Sequence, residues 1–107
     1  MTGFSLNDLE RIVAERASAD AAESYTSALL EAGKIRCAKK LGEEGVEAAL
    51  ATAAGTKVEL AAEAADVLYH LLVALRCRGV TLDEVMQVLQ QRTAQSGHAE
   101  KASRKES

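Results

Sequence analysis

The sequence predicts an all-α fold, and three observations carry that prediction. Alanine, leucine, glutamate, lysine and arginine dominate the 107 residues, proline is absent, and only Phe4, Tyr25 and Tyr69 are aromatic. That is the composition of helices. Cap residues and glycines punctuate the chain at helix-length intervals. Apolar residues make up 48% of the chain, more than one small domain can bury, so the predicted helical bundle is expected to be completed by dimerisation or higher homo-oligomerisation.

The elements follow in order. Ser5 and Asp8 form a capping-box pattern that starts a helix over 6–17. The polar stretch "SADAAES" reads as a loop. Ser24 caps a short helix, "YTSALLEA", which Gly33 ends. A long helix over 34–54 comes next, is broken at Gly55 and Thr56, and is followed by a second long helix over 57–78. Each is about 30 Å long at 1.5 Å per residue, and so short a link forces an antiparallel hairpin. Gly79 ends the second long helix. Thr81 caps a last helix over 82–93, with Glu84 completing a second capping box. Residues 1–93 are read as one domain. The remainder, 94–107, is a polar tail expected to be mobile until it orders over bound phosphates. Gly42 and Gly45 fall within the first long helix, away from its acidic side, and are expected to allow close packing against another helix.

Several function classes are excluded. A formal net charge of −3 is the opposite of the basic footprint of a nucleic-acid binder, and three aromatic rings offer no platform for stacking single-stranded bases. The N-terminus lacks the apolar core of a signal peptide, and charges interrupt every candidate membrane span, so a cytoplasmic protein is expected. Cys37 and Cys77 lack metal-ligand spacing and read as two small buried hydrophobes.

The chemistry lies in two acidic clusters. The segment "KKLGEEGVEAAL", residues 39–50, places Glu44 and Glu47 on one helical face, flanked by Glu43. The segment "ELAAEAADVLYHLLVAL", residues 59–75, places Glu63, Asp66 and His70 on one face of an otherwise apolar helix. Glu47 and Glu63 each stand eight residues from Gly55, Glu44 and Asp66 each stand eleven, and Lys40 and His70 each stand fifteen. An antiparallel hairpin therefore sets these pairs side by side. Packed helix axes run about 8–10 Å apart, a gap that facing carboxylates bridge only by sharing something.

Four carboxylates on one seam need raised pKa values or a cation. All-oxygen ligands favour Mg2+, with Mn2+ as a substitute. Arg36, Lys39 and Lys40 extend the stripe and suit phosphate oxygens, and His70, beside Lys40, is counted with them as a substrate-binding residue. A hard cation next to a phosphate, with Glu43 as base or as ligand to a second ion, is an arrangement for phosphoanhydride hydrolysis.

At these residues the chain resembles the phosphoribosyl-ATP pyrophosphatase family of the all-α nucleoside-triphosphate pyrophosphohydrolase superfamily. The superfamily pattern E-E-x-x-E then E-x-x-D is matched by Glu43, Glu44, Glu47, Glu63 and Asp66. The narrower resemblance rests on "SYTSALLEAG" at 24–33, "LYHLLV" at 68–73, "RGVTLDEVMQVLQQRT" at 78–93 and "SGHAEKASR" at 96–104. It implies Mg2+-dependent cleavage of the α–β phosphoanhydride of phosphoribosyl-ATP to phosphoribosyl-AMP and pyrophosphate, a step of histidine biosynthesis. It also implies a homodimer of interlocked helices and Glu44, Glu47, Glu63 and Asp66 as metal ligands. Where relatives carry alanine, this chain has Gly45. Two other readings stay open: a house-cleaning pyrophosphatase acting on non-standard nucleotides, and a non-catalytic helical dimerisation module.

Overall fold

Helix starts and stops follow the local chemistry of the chain. The computed structural model describes residues 2–94 and contains five α-helices: α1 (Leu6–Ala17), α2 (Tyr25–Ala32), α3 (Lys34–Ala54), α4 (Lys57–Cys77) and α5 (Leu82–Thr93). No strand occurs among the described residues. All but Ala94 of the tail lies outside them.

The box at Ser5 is complete: its hydroxyl accepts the Asp8 N–H at 3.1 Å, and the Asp8 carboxylate accepts the Ser5 N–H at 3.0 Å. At Thr81 only the forward half forms, with the hydroxyl accepting the Glu84 N–H at 3.1 Å. A carboxylate from another helix ties down α5 instead, as Glu10 accepts the Leu82 N–H at 2.8 Å. That bond joins groups 72 residues apart and has no local sequence signature.

The hairpin turn holds a further cap that the sequence reading passed over. Thr56 accepts the Glu59 N–H and Glu59 accepts the Thr56 N–H, at 3.1 and 2.8 Å, so a full capping box starts α4. Gly55 has an ordinary φ of −88°. Its constraint is space: a Cβ there would lie 2.9 Å from the Ala51 carbonyl oxygen. At its other end α4 stops at Cys77, one residue earlier than predicted. Gly79 (φ 71°) N–H donates to the Arg76 carbonyl and Val80 N–H to that of Leu75, at 3.1 and 2.9 Å, which closes a Schellman motif.

Five helices share a small core of Val13, Leu29, Cys37, Leu72, Val73 and Leu82. It surrounds the open end of the hairpin, where α1, α2 and α5 pack. The turn end stands clear of them, and no residue from 42 to 66 is buried. Within this chain Val58 on α4 is 80% exposed and Leu50 on α3 is 65% exposed. An added Cβ at Gly42 or Gly45 meets nothing of this chain within 4 Å, so none of its own helices supplies the close packing expected there. Helices α1 and α2 are too short to reach so far along the hairpin.

Helices α2 and α3 share one linking residue. Gly33 is the C-cap of the first and the N-cap of the second, at φ 98° and ψ 174°. Only glycine occupies this backbone region without strain. Gly33→Ala is expected to lower the unfolding free energy by about 1–3 kcal/mol, checked by urea denaturation; a change under a few tenths would show that the joint relaxes.

Candidate active site

The acidic seam lies halfway along the hairpin, beyond the edge of the core. Helical spacing puts Glu44 and Glu47 on the inner side of α3 and Glu63 and Asp66 on that of α4. One carboxylate oxygen from each of Glu44, Glu63 and Asp66 lies within 4.8 Å of the other two. The Glu44 side chain is only 13% exposed, Glu63 is half-buried and Asp66 is exposed. Glu47 meets both Glu44 and Glu63. The cross-hairpin register expected for these four residues is therefore present.

Glu44 Oε2 and Glu63 Oε2 are both shielded from solvent and have no hydrogen-bond partner. A buried acceptor left unpaired is destabilising. Carboxylates offer no donor to one another unless one is protonated, so this seam requires either shared protons or a cation. The electrostatics agree. Burial raises the Glu44 pKa first, followed by the hydrogen bond and charge of Glu47, with Asp66 adding and His70 opposing. The Glu63 pKa is likewise raised by burial, then by Glu47, Asp66 and Glu44. The oxygen-only donor set, with an orphaned oxygen on each arm of the hairpin, fits a hard divalent cation.

Lys40 stands at the rim, 3.3 Å from Glu43 and 4.0 Å from Glu44. The hydrogen bond to Glu43 and the nearby Tyr25 raise its pKa and keep it cationic. Glu43 is exposed and outside the close trio of carboxylates. Arg36 and Lys39 are exposed, and neither takes part in an ion pair among the described residues.

His70 is 7% exposed and both ring nitrogens are engaged. Its Nδ1–H donates to the Asp66 carbonyl at 2.9 Å; a carbonyl only accepts, which fixes the proton on Nδ1. Nε2 is hydrogen-bonded to the Tyr25 hydroxyl at 3.3 Å. The residue braces the backbone of Asp66 and presents no unoccupied nitrogen.

The sequence reading missed Tyr25, Thr26 and Tyr69. Tyr25 and Tyr69 stack at a centroid distance of 6.3 Å, and the Tyr69 hydroxyl is hydrogen-bonded to Thr26 Oγ1. The available signal was that Tyr69 sits within the acidic segment at 59–75 and Tyr25 within the stretch at 24–33. A cavity of about 730 Å3 lies between α1 and the end of α4, among residues such as Glu10, Leu72 and Arg76, and is lined by none of the four seam carboxylates.

Carboxylates gathered from both arms of a hairpin, edged by one lysine, define a class of all-α protein built around an acidic centre. Comparison makes the class particular. Residues 6–93 match the model of the family described as phosphoribosyl-ATP pyrophosphohydrolase. The chain is 58% identical over 105 residues to the phosphoribosyl-ATP pyrophosphatase of Methylobacterium nodulans, covering 98% of each chain. It is 58% identical over 103 residues to that of Azorhizobium caulinodans, covering 96% of this chain and 94% of the relative. Identity to that of Rhizobium johnstonii is 54% over 107 residues, the whole of both chains. The chain belongs to the phosphoribosyl-ATP pyrophosphohydrolase family and is a hydrolase of phosphoanhydride bonds.

The upward shifts at Glu44 and Glu63 fix the sign of a pH effect. Without a cation, the folded state keeps protons that the unfolded chain releases near its ordinary value of 4.5. Stability is therefore expected to fall as pH rises from about 4.5 through the raised values. Asp8 and Glu59 have lowered values and act oppositely, losing stability as pH falls below their ordinary values of 3.8 and 4.5. Thermal melting of chelator-treated protein across this range tests the point. Glu44→Gln should flatten the decline and saturating Mg2+ should suppress it; a wild-type profile that stays level would show that the seam is not strained.

Proposed function

We propose that this hydrolase cleaves the α–β phosphoanhydride of phosphoribosyl-ATP, yielding phosphoribosyl-AMP and pyrophosphate in a Mg2+-dependent step of histidine biosynthesis. The observation that carries the proposal is the pair of buried, unpartnered oxygens on Glu44 and Glu63, on a chain of this family. Glu44, Glu47, Glu63 and Asp66 would hold the ion, Mg2+ with Mn2+ as a substitute. When bound, the ion offsets the negative seam and polarises phosphoryl oxygens. Lys40 at the rim, with Lys39 and Arg36 beyond it, draws the phosphate chain along α3. Among the described residues Glu43 is paired with Lys40, and it accepts the proton of the attacking water. The water oxygen bonds to phosphorus, the bridging P–O bond breaks, and pyrophosphate leaves with the bonding pair.

The chain is read as a homodimer. Gly42, Val46 and Leu50 form an open apolar strip on α3 opposite the acids, and Val58 on α4 is similarly uncovered. A second copy would cover what the chain's own helices leave bare. The setting is read as cytoplasmic; among the described residues, no helix is long and apolar enough to cross a membrane.

Pyrophosphate release from phosphoribosyl-ATP, measured beside a panel of deoxynucleoside triphosphates, tests the substrate. Strong preference for phosphoribosyl-ATP is expected, and equal turnover across the panel would favour a house-cleaning enzyme. Chelation should abolish turnover and Mg2+ or Mn2+ restore it. Loss of groups behind a metal's own ligands typically costs about 10–100-fold, so Glu47→Gln and Asp66→Asn should each lower turnover by about 100-fold or more while leaving helical content intact. Variants that retain most of their activity would remove these residues from the site.

A further inference from the structure

A cleft of about 530 Å3 lies between the end of α1 and the start of α2, lined by Arg16, Glu23, Ser24, Tyr25, Thr26 and Tyr69. Neither the family comparison nor the hydrolytic chemistry assigns it a role. Its position relates it to the acidic seam. Tyr69 follows Asp66 by three residues on α4, so the two share one flank about 4.5 Å apart along the helix axis. Tyr25 reaches the same segment from α2 through His70, which bonds to the Asp66 carbonyl.

The cleft walls are fixed before any ligand arrives. The Ser24 hydroxyl donates to the Arg16 carbonyl at 3.0 Å, tying α2 to the end of α1. Thr26, 1% exposed, is hydrogen-bonded through Oγ1 to the Tyr69 hydroxyl. These two bonds and the Tyr25–His70 bond tie together the elements that wall the cleft, and such pre-ordering reduces the entropy lost on binding.

The lining has a definite chemistry. Tyr25 is 54% exposed and stacked at 19° on Tyr69, so an aromatic surface faces outward. Arg16 is exposed in the last turn of α1 and joins no ion pair among the described residues. A guanidinium forks onto phosphate oxygens, an aromatic face stacks on a base, and the Glu23 carboxylate accepts from sugar hydroxyls. One cation beside one anion suits a sugar monophosphate and disfavours a triphosphate.

Resting on the function proposed above, we propose that this cleft is the specificity subsite for the phosphoribosyl–adenine end of the substrate. Arg16 binds the ribosyl 5′-phosphate, and the Tyr25–Tyr69 platform supports the base while the triphosphate lies on the acidic seam. Arg16 is thus the residue that separates phosphoribosyl-ATP from ATP, although it is remote in sequence from both acidic clusters.

The test compares wild type with Arg16→Gln and Arg16→Lys. In steady-state hydrolysis of phosphoribosyl-ATP with Mg2+, Arg16→Gln should raise KM by about 10–100-fold, the range for losing a hydrogen bond to a charged group, and change kcat far less. Arg16→Lys should recover part of the loss. By calorimetry with Mg2+, wild type should bind phosphoribosyl-AMP more tightly than AMP, and Arg16→Gln should erase that difference. Melting curves confirm folding, since Arg16 is exposed. An active wild type with unchanged KM and undiminished discrimination in Arg16→Gln would overturn the cleft assignment and leave the hydrolytic reading standing. A wild type that releases no pyrophosphate from phosphoribosyl-ATP would instead overturn both.

Discussion

Negative charge held between two packed helices is the condition to which the rest of this molecule answers. Glu44, Glu47, Glu63 and Asp66 meet across the α3–α4 seam, and two of their oxygens are cut off from water without any donor in reach. In a loop such groups would swing apart into solvent. Here each acid is fixed to a 21-residue helix, and the two helices are joined through Gly55 and Thr56. The complete capping box at Thr56 and the close approach of Gly55 to Ala51 hold that joint, so repulsion is relieved by protons or by a cation more readily than by movement. A seam of this kind is poor at stabilising an empty protein and well suited to retaining a doubly charged ion.

The remaining helices act on the seam from one end. The small core gathers α1, α2 and α5 around the open end of the hairpin and leaves the turn end uncovered. Helix α2 contributes most directly. Its first residue, Tyr25, bonds to His70, which bonds to the backbone of Asp66. His70, expected to contact substrate, is thereby engaged as a brace, and its ring meets both tyrosines edge-on. Lys40 supplies the only cationic group in ion-pair range of the seam acids among the described residues. A single lysine cannot offset four carboxylates, so local charge balance needs shared protons or, on the function proposed above, a cation.

Much of the molecule was legible from neighbouring residues. The limits of α1, α2, α3 and α5 follow from Ser5, Ser24, Gly33 and Thr81, because capping is a contact between groups three or four residues apart. The register of Glu44 with Asp66 and of Glu47 with Glu63 followed from counting outward from Gly55, because rigid rods joined by a short turn leave little freedom. Thr56 with Glu59 was equally readable and was overlooked. The Glu84 half-box shows the limit of such patterns: its Thr81 bond forms, while the amide of Leu82 is taken by Glu10 from α1.

The sequence alone thus determined the helices, the hairpin and the identity of the acids facing one another, since each depends on contacts within a turn or across one tight connection. Tertiary structure decided which acid oxygens were shut away from water and that His70 was spent on Asp66 and Tyr25. It also decided that Arg16, Tyr25 and Tyr69 lay around one cleft. These outcomes depend on how α1 and α2 dock against α4, and docking is set by the combined packing of many side chains, which no local pattern encodes.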